Sequence, residues 1–74
     1  MGGGAAAVLI KRSFSLAGHR TSVALEAEFW QALGRAAASK GVSLARLVAE
    51  VDEGRGPDRP LASALRLFAL AARE

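Results

Sequence analysis

The order of apolar and polar residues changes its period along this chain, and each change marks a predicted element. Apolar and polar side chains alternate over residues 8–16, which predicts a strand with Val8, Ile10, Phe14 and Leu16 on one side. Ala-Gly-His at residues 17–19 predicts a turn, and a second alternating stretch predicts another strand over residues 20–25. The first strand could therefore fold back on the second.

From residue 26 onward the period changes from 2 to 3.6, which predicts helices. The first helix ends at Lys40 and Gly41, because a cation suits the negative end of a helix and glycine adopts the left-handed conformation that terminates it. Ser43 is a favourable N-cap for a second helix, which ends by Gly54.

Shifts in composition divide the chain into five segments. These are a flexible terminus at residues 1–7, an extra strand and turn at 8–19, a strand-helix-helix core at 20–54, a glycine- and proline-rich loop at 55–60, and a C-terminal helix at 61–74. The apolar residues of that last helix spread beyond one face, which favours more than one neighbouring element. No internal repeat is visible.

The length of 74 residues allows one small domain. Although 51% of the residues are hydrophobic, 17 of them are alanine, which buries little surface per residue. There is no cysteine, so neither a disulfide nor a thiolate metal site can stabilise the fold. We therefore expect a second copy of the chain to complete the core.

The net charge of +3 is concentrated in the first 25 residues, which contain Lys11, Arg12 and Arg20 and no acidic residue. The remaining residues contain seven basic and seven acidic side chains. In a dimer the basic segments of both chains would form one surface that attracts phosphate.

Other functional classes find little support in the residues. The longest apolar run, residues 5–10, is far shorter than the roughly 20 residues that span a bilayer, and no targeting segment is visible, so we expect a cytoplasmic protein that binds no membrane. With no Tyr, no Cys and one His, we expect no catalytic site, no metal site and no cofactor. An enzyme is not indicated.

Three features together resemble the ribbon-helix-helix family of DNA-binding proteins. They are the alternation over residues 20–25, the spacing from Leu25 to Gly41, and the turn Gly-Val-Ser-Leu at residues 41–44. The stretches at residues 11–13, 18–22 and 29–30 resemble one bacterial subgroup of this family, which has an extra N-terminal strand and a third helix.

The resemblance implies a mainly helical fold with a short β-ribbon, in which two chains intertwine as a homodimer through antiparallel strands. It also implies a transcriptional regulator that binds double-stranded DNA by inserting the ribbon into the major groove. Arg20, Ser22 and Ala24 would then face the bases. Arginine suits guanine, serine suits either base type, and alanine offers only apolar contact.

Two further sets of residues follow from the resemblance. The start of the second helix would contact phosphates, together with nearby cations; the residues expected there are Lys11, Arg12, Lys40, Ser43, Leu44 and Arg46. The shared core of the dimer would contain Val23, Leu25, Phe29, Trp30, Leu33, Leu44, Leu47, Val48, Val51, Leu65 and Phe68.

Two features lie outside the minimal ribbon-helix-helix fold, namely the first strand and the third helix. If the first strand pairs with the second in each chain, a dimer that pairs its second strands would form a four-stranded sheet, which is too broad to insert flat into a groove about 12 Å wide. The alternative function is a protein-interaction module, or an antitoxin-like protein, on the same dimeric scaffold. Antitoxins usually have a longer tail after the last helix.

Overall fold

A computed structural model of the protein describes residues 8–72. Two strands precede three helices: β1 (Leu9–Leu16), β2 (His19–Glu26), α1 (Ala27–Lys40), α2 (Leu44–Gly54) and α3 (Leu61–Ala72). The predicted mainly helical fold with a short β-ribbon is confirmed. Residues 1–7, predicted to be a flexible terminus, lie outside the described residues, as do the last two.

β1 and β2 form an antiparallel hairpin within the chain. Ala17 and Gly18 form the turn, and both have a positive φ, 50° and 82°, as a type I′ turn requires. The turn sets Leu16 opposite His19, so His19 is the first residue of β2. The prediction that His19 belongs to the turn is therefore wrong. The predicted fold-back of the first strand onto the second is confirmed.

The hairpin has an apolar face and a polar face because successive side chains of a strand point in opposite directions. The apolar face lies on the helices, and Phe14, Leu16, Val23 and Leu25 are buried there. The polar face is turned away from the helices. The alternation predicted from the sequence is thus confirmed in both strands.

Trp30 fixes the hairpin to α1. Its buried ring lies 5.8 Å from the ring of Phe14, centroid to centroid. Its indole nitrogen donates a hydrogen bond of 2.7 Å to the backbone oxygen of Ile10. α1 ends as predicted at Lys40 and Gly41, and Gly41 has a φ of 73°. The backbone N–H of Gly41 donates a hydrogen bond to the carbonyl oxygen of Ala38. β1 and α1 are therefore joined by packing and by a hydrogen bond.

α3 packs against α1, α2 and β2 and closes the core. Leu65 and Ala69 of α3 are fully buried, as are Leu33 of α1 and Leu47 of α2. A single copy of the chain therefore encloses a continuous apolar core, although its length and alanine content predict a need for a partner. β1 and α3, the two segments beyond the minimal fold, supply part of that core.

The outer side of α3 is apolar as well. Leu67 and Leu70 are 48% and 46% exposed there, in agreement with the predicted spread of apolar residues around this helix. Among residues 8–72, no helix is long and apolar enough to cross a membrane.

Candidate nucleic-acid interface

The polar face of the hairpin, called the outer face below, brings together residues from both strands. β1 contributes Lys11, Ser13 and Ser15, and β2 contributes Arg20, Ser22 and Ala24. All except the half-buried Ala24 are exposed. The three residues predicted to face bases therefore do share one surface, and they share it with three residues of β1.

Serine hydroxyls make contacts across the two strands on the outer face. The Oγ atoms of Ser13 and Ser22 lie 3.0 Å apart, and Nη1 of Arg20 donates to Oγ of Ser15 over 3.3 Å. A turn of this kind makes its two flanking residues a hydrogen-bonded pair, and bonded pairs alternate with non-bonded ones along the ladder. Ser13 and Ser22 are thus a non-hydrogen-bonded pair, in which side chains approach most closely.

The outer face is positively charged. Residues 8–25 contain three Lys or Arg residues and no carboxylate. The first carboxylate of the chain, Glu26, is engaged by Arg66 of α3, with Oε1 3.0 Å from Nη2. A hydrogen bond from the backbone of Glu26 and the Arg66 guanidinium lower the pKa of this carboxyl. Glu26 is therefore ionised at neutral pH, and its charge is balanced by Arg66.

Arg12 lies on the opposite face from Lys11. Its guanidinium carbon is 5.4 Å from the ring centroid of Trp30, a cation–π arrangement at the edge of the core. The structure therefore separates Arg12 from Lys11, the one predicted phosphate contact on the outer face, and places it in a small cleft that Leu44 also lines. Its side chain is still exposed.

The N-terminus of α2 begins at Ser43, whose hydroxyl oxygen accepts a hydrogen bond of 3.0 Å from the backbone N–H of Arg46. The predicted N-cap is confirmed. The N–H groups of the first helical turn have no partner within a helix and carry its positive dipole end. Leu44 is half-buried and lines a small cleft with Ile10 and Arg12, so this helix end lies beside β1.

Lys40 and Arg46 both bind one carboxylate. Nζ of Lys40 lies 3.0 Å from Oε1 of Glu50, and Nε of Arg46 lies 3.2 Å from its Oε2. The hydrogen bond from Lys40, and then that from Arg46, lower the pKa of the Glu50 carboxyl. Two of the predicted phosphate contacts are thus held near the start of α2 by an acid that sequence reasoning did not single out.

The residues predicted for a dimer core lie in or against the core of a single chain. Seven of them are buried: Val23, Leu25, Trp30, Leu33, Leu47, Val48 and Leu65. Phe29, Leu44, Val51 and Phe68 are partly buried against them.

Comparison with known families decides the classification. The model of a ribbon-helix-helix domain family matches residues 9–72. The chain belongs to the ribbon-helix-helix family. No curated protein and no solved structure matches it in the corresponding searches.

Ribbon-helix-helix domains are DNA-binding, regulatory scaffolds and not enzyme folds. The match begins with the first residue of β1 and ends with the last residue of α3. The strand and the helix that lie beyond the minimal fold are therefore part of the domain that the family model describes. Within residues 8–72, no group of three His, Cys, Asp or Glu residues is arranged to hold a metal ion.

Sequence reasoning missed Ser13 and Ser15 as members of the outer face. The sequence contains the information, since residues 11, 13 and 15 are alternate positions of the first strand and therefore lie on one side of it. Assigning them to the same surface as Ser22 required the pairing register, which alternation within one strand does not give.

Proposed function

We propose that this ribbon-helix-helix protein is a sequence-specific transcriptional regulator that binds DNA as a homodimer, with the outer face of its ribbon in the major groove. The observation that carries the proposal is the composition of that face, which combines Lys11 and Arg20 with serine hydroxyls, while the carboxylate of Glu26 at the open end of β2 is paired with Arg66. Such a surface attracts phosphate at long range and donates hydrogen bonds to bases at short range.

In this proposal the N-terminus of α2 contacts the DNA backbone beside the groove. The N–H groups of Leu44 and Ala45 have no partner within the helix and suit a phosphate, and Ser43 and Arg46 lie at the same end. Lys40, which is paired with Glu50, adds a second cation beside this end of the helix. Phosphate contacts of this kind fix the orientation of the ribbon but carry no sequence information.

The homodimer is supported by the outer side of α3. Leu67 and Leu70 would remain about half exposed in an isolated chain, whereas a second copy could cover them. Small domains gain the most from such additional burial.

Selection of duplexes from a random pool, followed by titration of the best duplex at several salt concentrations, tests the proposal. We expect one enriched sequence, and an affinity that falls steeply with salt. Arg20→Ala should weaken binding to that duplex by about 1–3 kcal/mol. Arg35→Ala, which removes an exposed cation from α1, is the matched control and should change the affinity much less. Absence of any enriched duplex would contradict the proposal.

A protein-interaction module is the second candidate, favoured by an open cleft of about 570 Å³ between α2 and α3. Leu47, Val51 and Phe68 line its apolar floor, and Lys40, Arg55 and Arg59 contribute cations. Failure of the protein to bind heparin or random duplex at low salt would favour this candidate over DNA binding.

A further inference from the structure

The two strands of the hairpin carry related sequences. Residues 11–16 read Lys-Arg-Ser-Phe-Ser-Leu and residues 20–25 read Arg-Thr-Ser-Val-Ala-Leu. Aligned in this way, the first positions are both cations, the third are both serine and the last are both leucine. The correspondence is confined to these six residues of each strand, and only the serine and leucine positions are identical.

The pairing register gives the correspondence a geometric meaning. Ser13 pairs with Ser22, and an antiparallel pair is related by a two-fold rotation through its midpoint. That rotation carries Lys11 onto the position of Arg20, since each lies two residues before its serine. One hairpin therefore has approximate two-fold symmetry, with a cation at equivalent positions of both strands.

The apolar face follows the same symmetry. Phe14 corresponds to Val23 and Leu16 corresponds to Leu25, and all four side chains are buried on the helices. Both strands are thus held on the core in the same way, so β1 is an integral part of the ribbon and not a loosely attached arm. The Trp30 hydrogen bond to the backbone of Ile10 adds a further attachment of β1.

We infer that the β1–β2 hairpin of a single chain is a complete DNA-reading ribbon, in which Lys11, Ser13 and Ser15 of β1 face the groove together with the residues of β2. This inference rests on the proposed DNA-binding function. The minimal ribbon-helix-helix fold needs two chains to form such a ribbon. Here the second strand comes from the same chain, so each copy reads DNA with its own hairpin.

The dimensions of DNA support a ribbon of two strands. Neighbouring strands lie about 4.8 Å apart, and the major groove is about 12 Å wide. A two-stranded hairpin therefore fits with its side chains, whereas four strands would already span about 14 Å between their outer backbones. Pairing of β2 with the β2 of a second copy would produce the four-stranded sheet, which is wider than the groove. The major groove therefore accommodates the two-stranded hairpin of one chain and not the four-stranded sheet.

The first experiment compares equivalent cations of the two strands. On the duplex selected by the wild-type protein, Lys11→Ala and Arg20→Ala should each weaken binding by about tenfold or more. Arg35→Ala should change it by less than about threefold, which measures the general effect of one lost charge. If Lys11→Ala behaves like Arg35→Ala while Arg20→Ala weakens binding, β1 does not read DNA and the inference is wrong.

Base preference provides a second readout. Ser13→Ala should alter the sequence selected from a random pool, because the hydroxyl at the centre of the outer face is lost. Ser39→Ala, at an exposed position near the end of α1, should select the same sequence as the wild type. An unchanged preference for Ser13→Ala would overturn the role of that side chain.

A covalent link tests whether β1 must detach before binding. Leu9 and Glu26 face each other at the open end of the hairpin, and the chain has no cysteine of its own. In the double variant Leu9→Cys, Glu26→Cys, the oxidised and reduced forms should bind the selected duplex with the same affinity. A loss of tenfold or more that appears on oxidation and disappears on reduction would show that β1 has to leave.

These outcomes separate the inference from the function on which it rests. If the wild-type protein selects no duplex, the proposed function fails. If it selects one but the Lys11 and Ser13 variants match their controls, the protein binds DNA without β1 and only the inference fails.

Discussion

Trp30 donates a hydrogen bond of 2.7 Å from its indole nitrogen to the backbone oxygen of Ile10, and this contact joins residues that are 20 positions apart. The same ring packs on Phe14 and lies under the guanidinium of Arg12. One side chain of α1 thus contacts β1 through its edge and its face. Trp30 thereby positions β1, the strand whose outer-face residues we propose to contact DNA.

Replacing Trp30 by phenylalanine keeps an apolar ring and removes the hydrogen bond. We expect Trp30→Phe to lower the free energy of unfolding by about 1–3 kcal/mol, because the carbonyl of Ile10 loses its partner and the smaller ring fills less of the core. Urea unfolding measures this loss, and hydrogen exchange should be accelerated most in β1. Gln31→Ala, at the exposed neighbouring position, should stay within about 0.5 kcal/mol of the wild type.

The sequence predicts the elements of this fold well because each has a strong local signal. The Gly41 terminus, the Ser43 cap and the alternation in both strands depend on residues close together in the chain, so no tertiary information was needed. Residues 19 and 26 are exceptions. The tight two-residue turn brings His19 into β2, and Glu26, expected in the first helix, is the last residue of β2 and the N-cap of α1.

The candidate site is less predictable because it depends on contacts between distant elements. Arg12 follows Lys11 directly, yet it lies over Trp30 on the opposite face of the hairpin. The ion pair that joins Lys40 to Glu50 connects α1 to α2. No pattern within a single element reports either contact.

Glu50 limits the positive charge near the start of α2 because it binds both Lys40 and Arg46. We expect Glu50→Gln to strengthen duplex binding a few-fold at low salt, since it frees two cations for phosphate, and to steepen the salt dependence of the affinity. Fluorescence anisotropy at several salt concentrations measures both. Glu53→Gln removes an exposed carboxylate from the same helix and should have a smaller effect. Equal effects of the two variants would mean that the change in net charge alone strengthens binding, and that the ion pairs of Glu50 play no specific part.

The lowered pKa values of Glu26 and Glu50 predict how stability depends on pH. Each carboxyl titrates below its ordinary value of 4.5 in the folded chain, so the unfolded chain binds more protons in that range. The stabilisation is therefore complete above about pH 4.5 and is lost as the pH falls through the lowered pKa. Melting temperatures between about pH 3 and pH 6 should show this loss, and it should be smaller in the Glu26→Gln, Glu50→Gln double variant.

Leu65 and Leu67 of α3 distinguish folding from association. Leu65 is fully buried, so Leu65→Ala should lower the free energy of unfolding by about 2–5 kcal/mol. Leu67 is 48% exposed, so Leu67→Ala should cost a monomer no more than about 0.5 kcal/mol. In the proposed homodimer, Leu67→Ala should weaken self-association in sedimentation equilibrium. If the wild type sediments as a monomer at every concentration, α3 does not form the dimer contact.

Ser43 allows its two roles, capping α2 and contacting phosphate, to be separated. Ser43→Ala removes the acceptor for the Arg46 N–H and should lower stability by about 1 kcal/mol. Aspartate caps a helix as well as serine does, so Ser43→Asp should retain the stability of the wild type. Its negative charge would repel phosphate, however, and duplex affinity should fall severalfold despite the intact fold. Equal duplex affinity for Ser43→Asp and the wild type would mean that the N-terminus of α2 does not face the DNA backbone, and that Ser43 serves only as a cap.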